Sequence, residues 1–201
     1  MLGTGEAIRV FIAVQISPES RQVLADAMGR LSDAVPRGVR WVDPQGIHLT
    51  LKFLGDIDPG LKDRMLEFMR HAGQVSSPFS LQLSSLGMFP NQRQPRVLWA
   101  GVQGDLEALA DLQEEVERAM LGLGFPRERR RFSPHLTIGR VRYGVSAGVR
   151  QQIGDAMVAG SLGTAEPWVV DSMHLVHSSL TPQGAVYNSL GSAPLLSAAA
   201  D

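Results

Sequence analysis

Apolar and polar residues alternate along the chain in a way that predicts short strands interspersed with amphipathic helices. Continuous apolar runs and two-residue alternation predict strands over 8–16, 39–42, 47–54, 79–88, 96–102, 132–141, 168–176 and 185–190. Apolar residues at helical spacing predict helices that begin after Ser17-Pro18, Asp58-Pro59 and Asp105, where a capping residue stands first. A fourth helix, over 146–159, is weakened by two internal glycines.

The order of these elements repeats: strand, helix, strand, helix, strand, and then the same series again. The polar, proline-rich segment 90–95 separates the two series. We therefore expect an α+β fold in one domain over 8–191, made of two pseudo-symmetric lobes. The lobes would come mainly from 8–90 and 96–191, with exchange of strands between them allowed, and 1–7 and 192–201 would be tails.

One short motif occurs at the equivalent strand of each series. The sequence HLTL at 48–51 returns as HLTI at 135–138. Residues i and i+2 of a strand point to the same face, so each copy presents one imidazole and one hydroxyl together. We expect each motif strand to line one wall of a shared central cleft.

The same parity makes predictions for the residues that follow each motif. Lys52 shares the face of His48 and is expected at the edge of the cleft, exposed to solvent. Phe53 is expected on the aliphatic face, and Arg140 falls on the aliphatic face of the second motif strand.

Two histidines that face each other across a cleft form an acid–base pair. Free imidazole titrates near pH ~6.5, so one ring can be neutral while the other is protonated. Such a pair suits phosphoryl transfer, in which the neutral ring takes a proton from the incoming oxygen and the charged ring protonates the leaving oxygen. The candidate pair is His48 and His135, and Thr50 and Thr137 would donate hydrogen bonds to the nonbridging phosphate oxygens.

A histidine metal site is the sharpest structural alternative. Zinc takes three or four ligands, and His174 and His177 are the candidates to complete such a set. They stand three apart on a predicted strand and therefore on opposite faces, so a regular strand cannot bring both to one ion. His71 falls in the last turn of a predicted helix and is expected to be solvated.

Composition changes this picture in only a few respects. The 201 residues are 44% hydrophobic and 19% charged, with a net charge of −1 and no cysteine. These values predict a globular protein without disulfides, thiolate nucleophiles or cysteine metal sites. The start of the chain lacks the pattern of a signal peptide, and no apolar run reaches the ~18 residues of a membrane helix, so we expect a soluble, cytoplasmic protein.

The near-neutral charge means that any contact with nucleic acid must come from a local patch. Four of the five residues at 127–131 are arginines, directly before the second motif strand. Such a cluster is either a solvated loop or a contact for the phosphate backbone, and Arg131 is its candidate substrate-binding residue.

The chain resembles the two-histidine (2H) phosphoesterase superfamily, whose mark is the paired motif of histidine, any residue, threonine and an aliphatic residue. Within it, HLTLKFLG at 48–55, GMFPNQRQPRVLWAGV at 87–102 and FSPHLTIGRV at 132–141 are similar to the RNA 2′,3′-cyclic phosphodiesterases, also called 2′-5′ RNA ligase-like proteins. The early VFIAV strand and the late TPQGAVY segment fit as well. The resemblance covers about 9–190.

This resemblance implies two antiparallel sheets facing a cleft, with the helices outside. It implies hydrolysis of a terminal 2′,3′-cyclic phosphate of RNA to a 2′-phosphomonoester without a metal or other cofactor, and a minor 2′-5′ RNA ligase activity. His48 would be the proton donor and His135 the proton acceptor, while Thr50 and Thr137 hold the phosphate. A monomer without an obligatory protein partner and without membrane attachment is expected.

Three hypotheses remain open at this level. The first is the RNA-end phosphodiesterase, the second is a phosphoesterase that acts on a small cyclic phosphate, and the third is a non-catalytic module that binds RNA ends. The residues alone do not say which histidine is the acid, because both stand in nearly identical local sequences.

Overall fold

The computed structural model describes residues 6–181 and 184–196. Its helices are α1 (Pro18–Ala34), α2 (Lys62–Gln74), α3 (Leu106–Gly122) and α4 (Ala147–Ala159). Its strands are β1 (Ile8–Val14), β2 (Val39–Trp41), β3 (Leu49–Ile57), β4 (Phe79–Phe89), β5 (Val97–Gly104), β6 (Leu136–Val141), β7 (Trp168–Val170), β8 (Ser172–Thr181) and β9 (Gly184–Pro194). Each predicted helix is present, and so is each predicted strand except that over 168–176, which is divided into β7 and β8 in different halves of the sheet. The other differences concern the ends of the elements.

Local capping explains where the helices begin. The Ser17 hydroxyl accepts a hydrogen bond from Ser20 N at 3.0 Å, and Pro18 occupies the first turn of α1. Ser146 caps α4 in the same way, through Val149 N at 3.3 Å. Asp58 instead caps a short 3-10 turn, so α2 begins at Lys62, after the predicted start.

The strands form one antiparallel sheet in the order β7-β4-β5-β6-β3-β1-β8-β9, with β2 paired to β6. The sheet has two halves, β7-β4-β5-β6 and β3-β1-β8-β9. A single residue pair, Leu49 opposite Leu136, connects β3 to β6 between these halves. The predicted α+β class is confirmed, and the two expected antiparallel sheets are the two halves of one continuous sheet. The two motif strands are direct neighbours at the junction.

Each half contains strands from both parts of the chain. β4, from the first part, lies between β5 and β7, while β8 and β9, from the second part, extend the half that begins with β3 and β1. Helices α2 and α3 pack on the half that contains β9 and β3, and α4 packs on β4. The division of 8–191 into lobes over 8–90 and 96–191 stays a prediction. In the structure the chain passes from one half of the sheet to the other several times.

The expectation of a tail from residue 192 is wrong for 192–196. β9 continues to Pro194, and Ala193 and Leu195 are buried in the core. Gly73 of α2 makes this possible, because a Cβ there would clash with the carbonyl oxygen of Pro194. Residues 1–5 and 197–201, and the middle of the turn predicted at 181–184, lie outside the described residues.

Candidate active site

The four polar side chains of the motifs share one face of the sheet at the junction. Because Leu49 pairs with Leu136 in an antiparallel ladder, His48 stands opposite Thr137 and Thr50 stands opposite His135. Cβ atoms of directly opposed residues are about 5 Å apart, and diagonal neighbours are separated by about 7–8 Å. The two histidines therefore occupy one diagonal of a small rectangle and the two threonines occupy the other. All four line a cavity of about 340 Å³.

Both imidazoles are oriented by the same local contact. His48 Nδ1 lies 2.7 Å from the carbonyl oxygen of Gly46, and His135 Nδ1 lies 2.7 Å from that of Ser133. A carbonyl oxygen only accepts, so each Nδ1 must carry the proton and donate it. Each Nε2 is then left for the cavity, as an acceptor when the ring is neutral and as a donor when it is charged.

Aromatic rings enclose His48. Phe11 stacks on its imidazole with ring centres 4.5 Å apart and an interplanar angle of 24°. Tyr187 meets the same ring edge-on at 4.9 Å, and it also contacts Phe11 edge-on at 5.5 Å. These contacts fix the plane of the His48 ring and remove much of its surface from water.

A partly buried guanidinium supports His48 from the side of α1. Arg21 donates hydrogen bonds to the carbonyl oxygens of Pro44 and Gln45, both at 2.8 Å, and thereby holds the turn whose Gly46 carbonyl orients His48. Burial lowers the pKa of His48 below its ordinary value; the hydrogen bond to Gly46 opposes this shift and the charge of Arg21 adds to it. Near neutral pH, His48 therefore favours the neutral form.

His135 has a more open setting. Phe89 meets its ring edge-on with centres 5.2 Å apart, and the ring centre of Trp99 is 6.5 Å away. His135 borders both the small cavity and a larger one beside it. The two imidazoles thus have the same backbone contact but different access to solvent.

A bulge follows the threonine in each motif strand. Between β1 and β3 the register moves from Ala13 opposite Thr50 to Ile12 opposite Lys52, which leaves Leu51 as the extra residue. Between β5 and β6 it moves from Trp99 opposite Thr137 to Leu98 opposite Gly139, which leaves Ile138 as the extra residue. Beyond each bulge the alternation of side chains is reversed.

This reversal overturns the three predictions from parity. Lys52 is buried, with 5% of its surface exposed, instead of lying at the edge of the cleft. Phe53 is 71% exposed and lines the cleft instead of joining the core. Arg140 lines the small cavity instead of lying on the aliphatic side.

Buried Lys52 anchors the segment that carries the arginine cluster. Its ammonium lies 2.6 Å from a carboxylate oxygen of Glu117 on α3 and donates to the carbonyl oxygen of Pro126 at 2.8 Å. The same oxygen of Glu117 accepts a hydrogen bond from Glu128 N at 3.2 Å. The buried ion pair therefore attaches the start of the cluster to both β3 and α3.

The arginine cluster lines the larger cavity, of about 810 Å³. This cavity adjoins the small one and shares with it Thr50, Phe53, Phe89 and His135. Arg131 lies in its lining, so the structure brings this candidate to the His135 side of the cleft. Arg127 pairs with Glu114 of α3, and residues 126–131 are exposed.

Several residues of the small cavity were not identified from the sequence. Tyr187 and Phe89 flank the histidines, and Arg9, Arg40 and Arg140 bring three guanidinium groups to its lining. Parity places Arg140 on the wrong face because the bulge has no signature in the sequence. Arg40 comes from the short strand β2, and only its pairing with β6 places it near the motif.

Other histidines lie away from this cluster. His174 and His177 stand on β8, and His71 is exposed on α2 as predicted. Over the parts of the chain that the structure describes, no group of three or more histidine and acidic side chains is arranged to hold a metal ion. None of the described helices is both long enough and apolar enough to cross a membrane.

The chain is similar to known proteins over nearly its whole length. It is 35% identical over 188 residues to an RNA 2′,3′-cyclic phosphodiesterase of Geobacillus stearothermophilus, covering 94% of this chain and 57% of that protein. It is 33% identical to an RNA 2′,3′-cyclic phosphodiesterase of Methanothermobacter thermautotrophicus, covering 91% of this chain and 96% of that protein. The chain thus spans little more than half of the first relative and almost all of the second.

Solved structures agree with these similarities. A crystal structure of a Thermus thermophilus protein superposes with a TM-score of 0.78 at 28% identity, covering 94% of this chain and 98% of that one. The apo form of E. coli LigT has the same fold, with a TM-score of 0.73 at 24% identity, covering 96% of this chain and 100% of that one. The family model for LigT-like phosphoesterases matches residues 14–99 and 102–187. Together with the motifs, this match shows that the chain belongs to the LigT-like phosphoesterase family, within the 2H phosphoesterase superfamily.

Proposed function

We propose that this protein hydrolyses 2′,3′-cyclic phosphate ends of RNA to 2′-phosphomonoesters, with His48 and His135 as its acid–base pair. The observation that carries this proposal is the diagonal placement of two imidazoles whose Nε2 atoms are both free for the cavity. In-line displacement at phosphorus needs an acid and a base on opposite sides of the reacting atom. The names of the relatives from G. stearothermophilus and M. thermautotrophicus give the substrate class.

The reaction follows from the geometry of the rectangle. The phosphorus lies at its centre, and a water oxygen attacks from the side of His135. His135 Nε2 accepts the proton of this water as the new P–O bond forms. The bond from phosphorus to O3′ breaks, and His48 Nε2 donates its proton to O3′. Thr50 and Thr137, on the other diagonal, donate hydrogen bonds to the nonbridging oxygens, where negative charge grows.

The role of His48 as the acid is implied by the resemblance to the family. It requires a protonated His48, and the negative charge of the bound substrate would favour this form. Burial lowers the pKa of His48 in the absence of a nearby negative charge. The cyclic phosphate carries a negative charge, and an opposite charge within about 4–6 Å favours the protonated ring. His48 therefore gains its proton when the substrate binds. The pH limb due to His48 should consequently lie at lower pH in kcat/KM, which reports the free enzyme, than in kcat.

Replacement of water by an RNA 5′-hydroxyl in the same step would form a 2′-5′ bond, which is the ligase activity that we propose as the minor one. The arginine cluster, with Arg131, lies on the His135 side and would bind the phosphate backbone there. The four motif side chains come from one chain, so we propose action as a monomer, in the cytoplasm, without a protein partner or a cofactor.

The test is turnover of a short RNA that ends in a 2′,3′-cyclic phosphate, with excess chelator present. Loss of either imidazole should lower kcat by at least ~10²-fold, because each acts in general acid–base catalysis. The variants are His48→Ala and His135→Ala, and His71→Ala is the matched control because it is exposed on α2. Retained turnover in either active-site variant would exclude the paired mechanism.

The wild-type protein also distinguishes the alternatives. Turnover only of small cyclic nucleotides, without salt-dependent binding of RNA, would identify a small-molecule phosphoesterase. RNA binding without turnover would identify a binding module. A 2′-phosphate product would establish which of the two P–O bonds is cleaved.

A further inference from the structure

The segment 126–133, between α3 and the second motif, carries the arginine cluster and has no regular structure. None of its backbone groups forms a hydrogen bond with another backbone group in the described part of the chain. Residues 126–131 are exposed, and Phe132 packs against the core at the far end. The position of the arginines therefore depends on side chains that reach this segment from other elements.

Two buried side chains reach the start of the segment. The ammonium of Lys52 donates a hydrogen bond to the carbonyl oxygen of Pro126 at 2.8 Å. A carboxylate oxygen of Glu117 accepts a hydrogen bond from Glu128 N at 3.2 Å, and the same oxygen lies 2.6 Å from the ammonium. The buried ion pair therefore holds one backbone carbonyl and one backbone N–H of the segment at once.

The packing of the core does not by itself require these two charges. Apolar side chains of similar volume often stabilise a core as well or better, because buried charges lose their hydration. Only polar side chains, however, can bind the carbonyl of residue 126 and the N–H of residue 128. The ion pair is thus suited to the placement of the segment more than to the filling of the core.

The segment presents three arginines to the larger cavity. Within the described part of the chain, the guanidinium groups of Arg129, Arg130 and Arg131 form no ion pair and no side-chain hydrogen bond. The carboxylate of Glu128 accepts two backbone N–H groups of the segment, at 2.8 and 3.1 Å. Guanidinium groups bind phosphodiesters through charge-assisted hydrogen bonds. Because the cavity borders His135, these groups would contact an RNA chain whose end occupies the small cavity.

We propose that Lys52 and Glu117 are positioning residues that make the enzyme prefer RNA to small cyclic phosphates. They act through the three arginines, which they hold beside the cleft for contact with the phosphodiesters of the chain. This role rests on the proposed function, since it concerns the choice between two substrates of the same site. A cyclic mononucleotide has no phosphodiester chain to contact the arginines, so its turnover gains nothing from their placement.

The experiment measures the ratio of two kcat/KM values, one for an adenosine hexanucleotide that ends in a 2′,3′-cyclic phosphate and one for adenosine 2′,3′-cyclic phosphate. For three phosphate contacts, counterion release should lower the wild-type ratio about twentyfold between about 50 and about 200 mM salt. Lys52→Met/Glu117→Gln should lower the ratio at low salt about tenfold or more, mainly through KM, and should reduce its fall with salt to about threefold or less, which corresponds to one contact. The ratio cancels any general damage to catalysis.

Two controls separate positioning from stability. Arg129→Gln/Arg130→Gln should lower the ratio as the ion-pair variant does, but without a loss of stability, because both side chains are exposed. Met157→Ala leaves a cavity beneath α4 and loses stability, but it should keep both the ratio and its salt dependence. An equal loss of the ratio in Met157→Ala would overturn the positioning role, because stability alone would then explain it.

A second variant tests the same contact if the ion-pair variant does not fold. Glu128→Pro has no N–H to donate to Glu117, and it leaves the buried pair intact. The ratio should fall here too, although the loss of a carboxylate would by itself strengthen the binding of RNA. A ratio that the arginine variant lowers and the folded anchor variant leaves unchanged would overturn the positioning role. A wild-type ratio near one would also overturn it and leave the phosphodiesterase intact.

If the wild type turns over neither substrate, the proposed function fails and binding decides the positioning role. Fluorescence anisotropy would then measure the Kd of a labelled adenosine hexanucleotide that ends in a 2′-phosphate. Weaker and less salt-dependent binding by the ion-pair variant than by the wild type and Met157→Ala would support the positioning role. Equal binding by all three would overturn it.

Discussion

The two motif segments share a backbone design but differ in everything packed around it. In both, the Nδ1 atom of the histidine donates a hydrogen bond to the carbonyl oxygen two residues earlier in the chain. The threonine follows two residues after the histidine, and a β-bulge comes directly after the threonine. His48 is enclosed by Phe11 and Tyr187, while His135 opens onto the larger cavity. The repeated backbone thus supplies the two histidines of the proposed acid–base pair, and the unrepeated surroundings shield one ring and leave the other accessible.

The difference continues just past each bulge. The position that faces away from the cleft is Lys52 in the first segment and Gly139 in the second. The next position, which faces the cleft, is Phe53 in the first and Arg140 in the second. In the first segment, buried Lys52 anchors the start of the arginine cluster. In the second segment, Gly139 has no side chain, and Val39 and Trp41 occupy the space beside it.

Replacement of the buried Lys52 by an uncharged residue should have the largest effect on the free energy of unfolding. Lys52→Met leaves the carboxylate of Glu117 buried without its ammonium partner, so the free energy of unfolding should fall by about 3–5 kcal/mol. Denaturant titration measures this change. The double variant Lys52→Met/Glu117→Gln should recover part of the loss, because it removes the second charge as well.

The equivalent position in the second segment provides the matched comparison. In Gly139→Ala the new methyl group would lie 2.9 Å from Val39 Cγ1 and 3.0 Å from a ring carbon of Trp41, and such overpacking costs about 1–3 kcal/mol. A greater loss for Gly139→Ala than for Lys52→Met would contradict the anchoring role of the ion pair.

Thr50 and Thr137 should contribute equally to kcat/KM. Thr50→Val and Thr137→Val each remove one hydrogen bond to a charged phosphate oxygen, and kcat/KM should fall about tenfold in each. Steady-state kinetics on the cyclic-phosphate RNA measures both. Losses that differ by more than about tenfold would show that the two hydroxyls do not hold the phosphate symmetrically.

Arg21 supports only the first segment, so its variants probe the asymmetry. Arg21→Lys keeps the charge but shortens the side chain and loses the guanidinium nitrogen Nη1 that donates to the carbonyl oxygens of Pro44 and Gln45, and kcat should fall by about fivefold. Arg21→Gln also removes the charge that lowers the pKa of His48, so the pH limb due to His48 should move to higher pH than in Arg21→Lys. Identical pH profiles for the two variants would exclude this electrostatic contribution.

The smallest effect concerns stability against acid. The pKa of His48 is lowered in the folded protein, so just below pH ~6.5 the unfolded chain binds a proton that the folded chain does not. The stabilisation is complete above the ordinary imidazole pKa and is lost as the pH falls through that value toward the folded one. Wild type should therefore lose more stability than His48→Gln between pH ~7.5 and pH ~5. Equal losses, measured by denaturant titration at each pH, would contradict a shielded His48.

The sequence correctly predicts the positions of the site residues in the repeated motif, but it does not predict the positions of the site residues outside it. The alternation at 48–51 and 135–138 predicts the shared face of His48, Thr50, His135 and Thr137, because local parity holds over so few residues. Beyond the bulges it assigns Lys52 to the wrong face, since an extra residue in a strand has no compositional signal. Tyr187 and Arg40 come from distant strands and reach the site only through strand order, which periodicity does not encode.

The pairing of Leu49 with Leu136 sets both the alignment of the two halves of the sheet and the positions of the four polar side chains in the cleft. A slip of one residue between β3 and β6 would turn the histidine and threonine of one motif toward the core and the leucine between them toward water. A molecule with its halves misaligned would thus be both inactive and unstable. The four side chains of the proposed active site lie at the junction of the two halves, so selection for the proposed activity would also maintain the alignment of these halves.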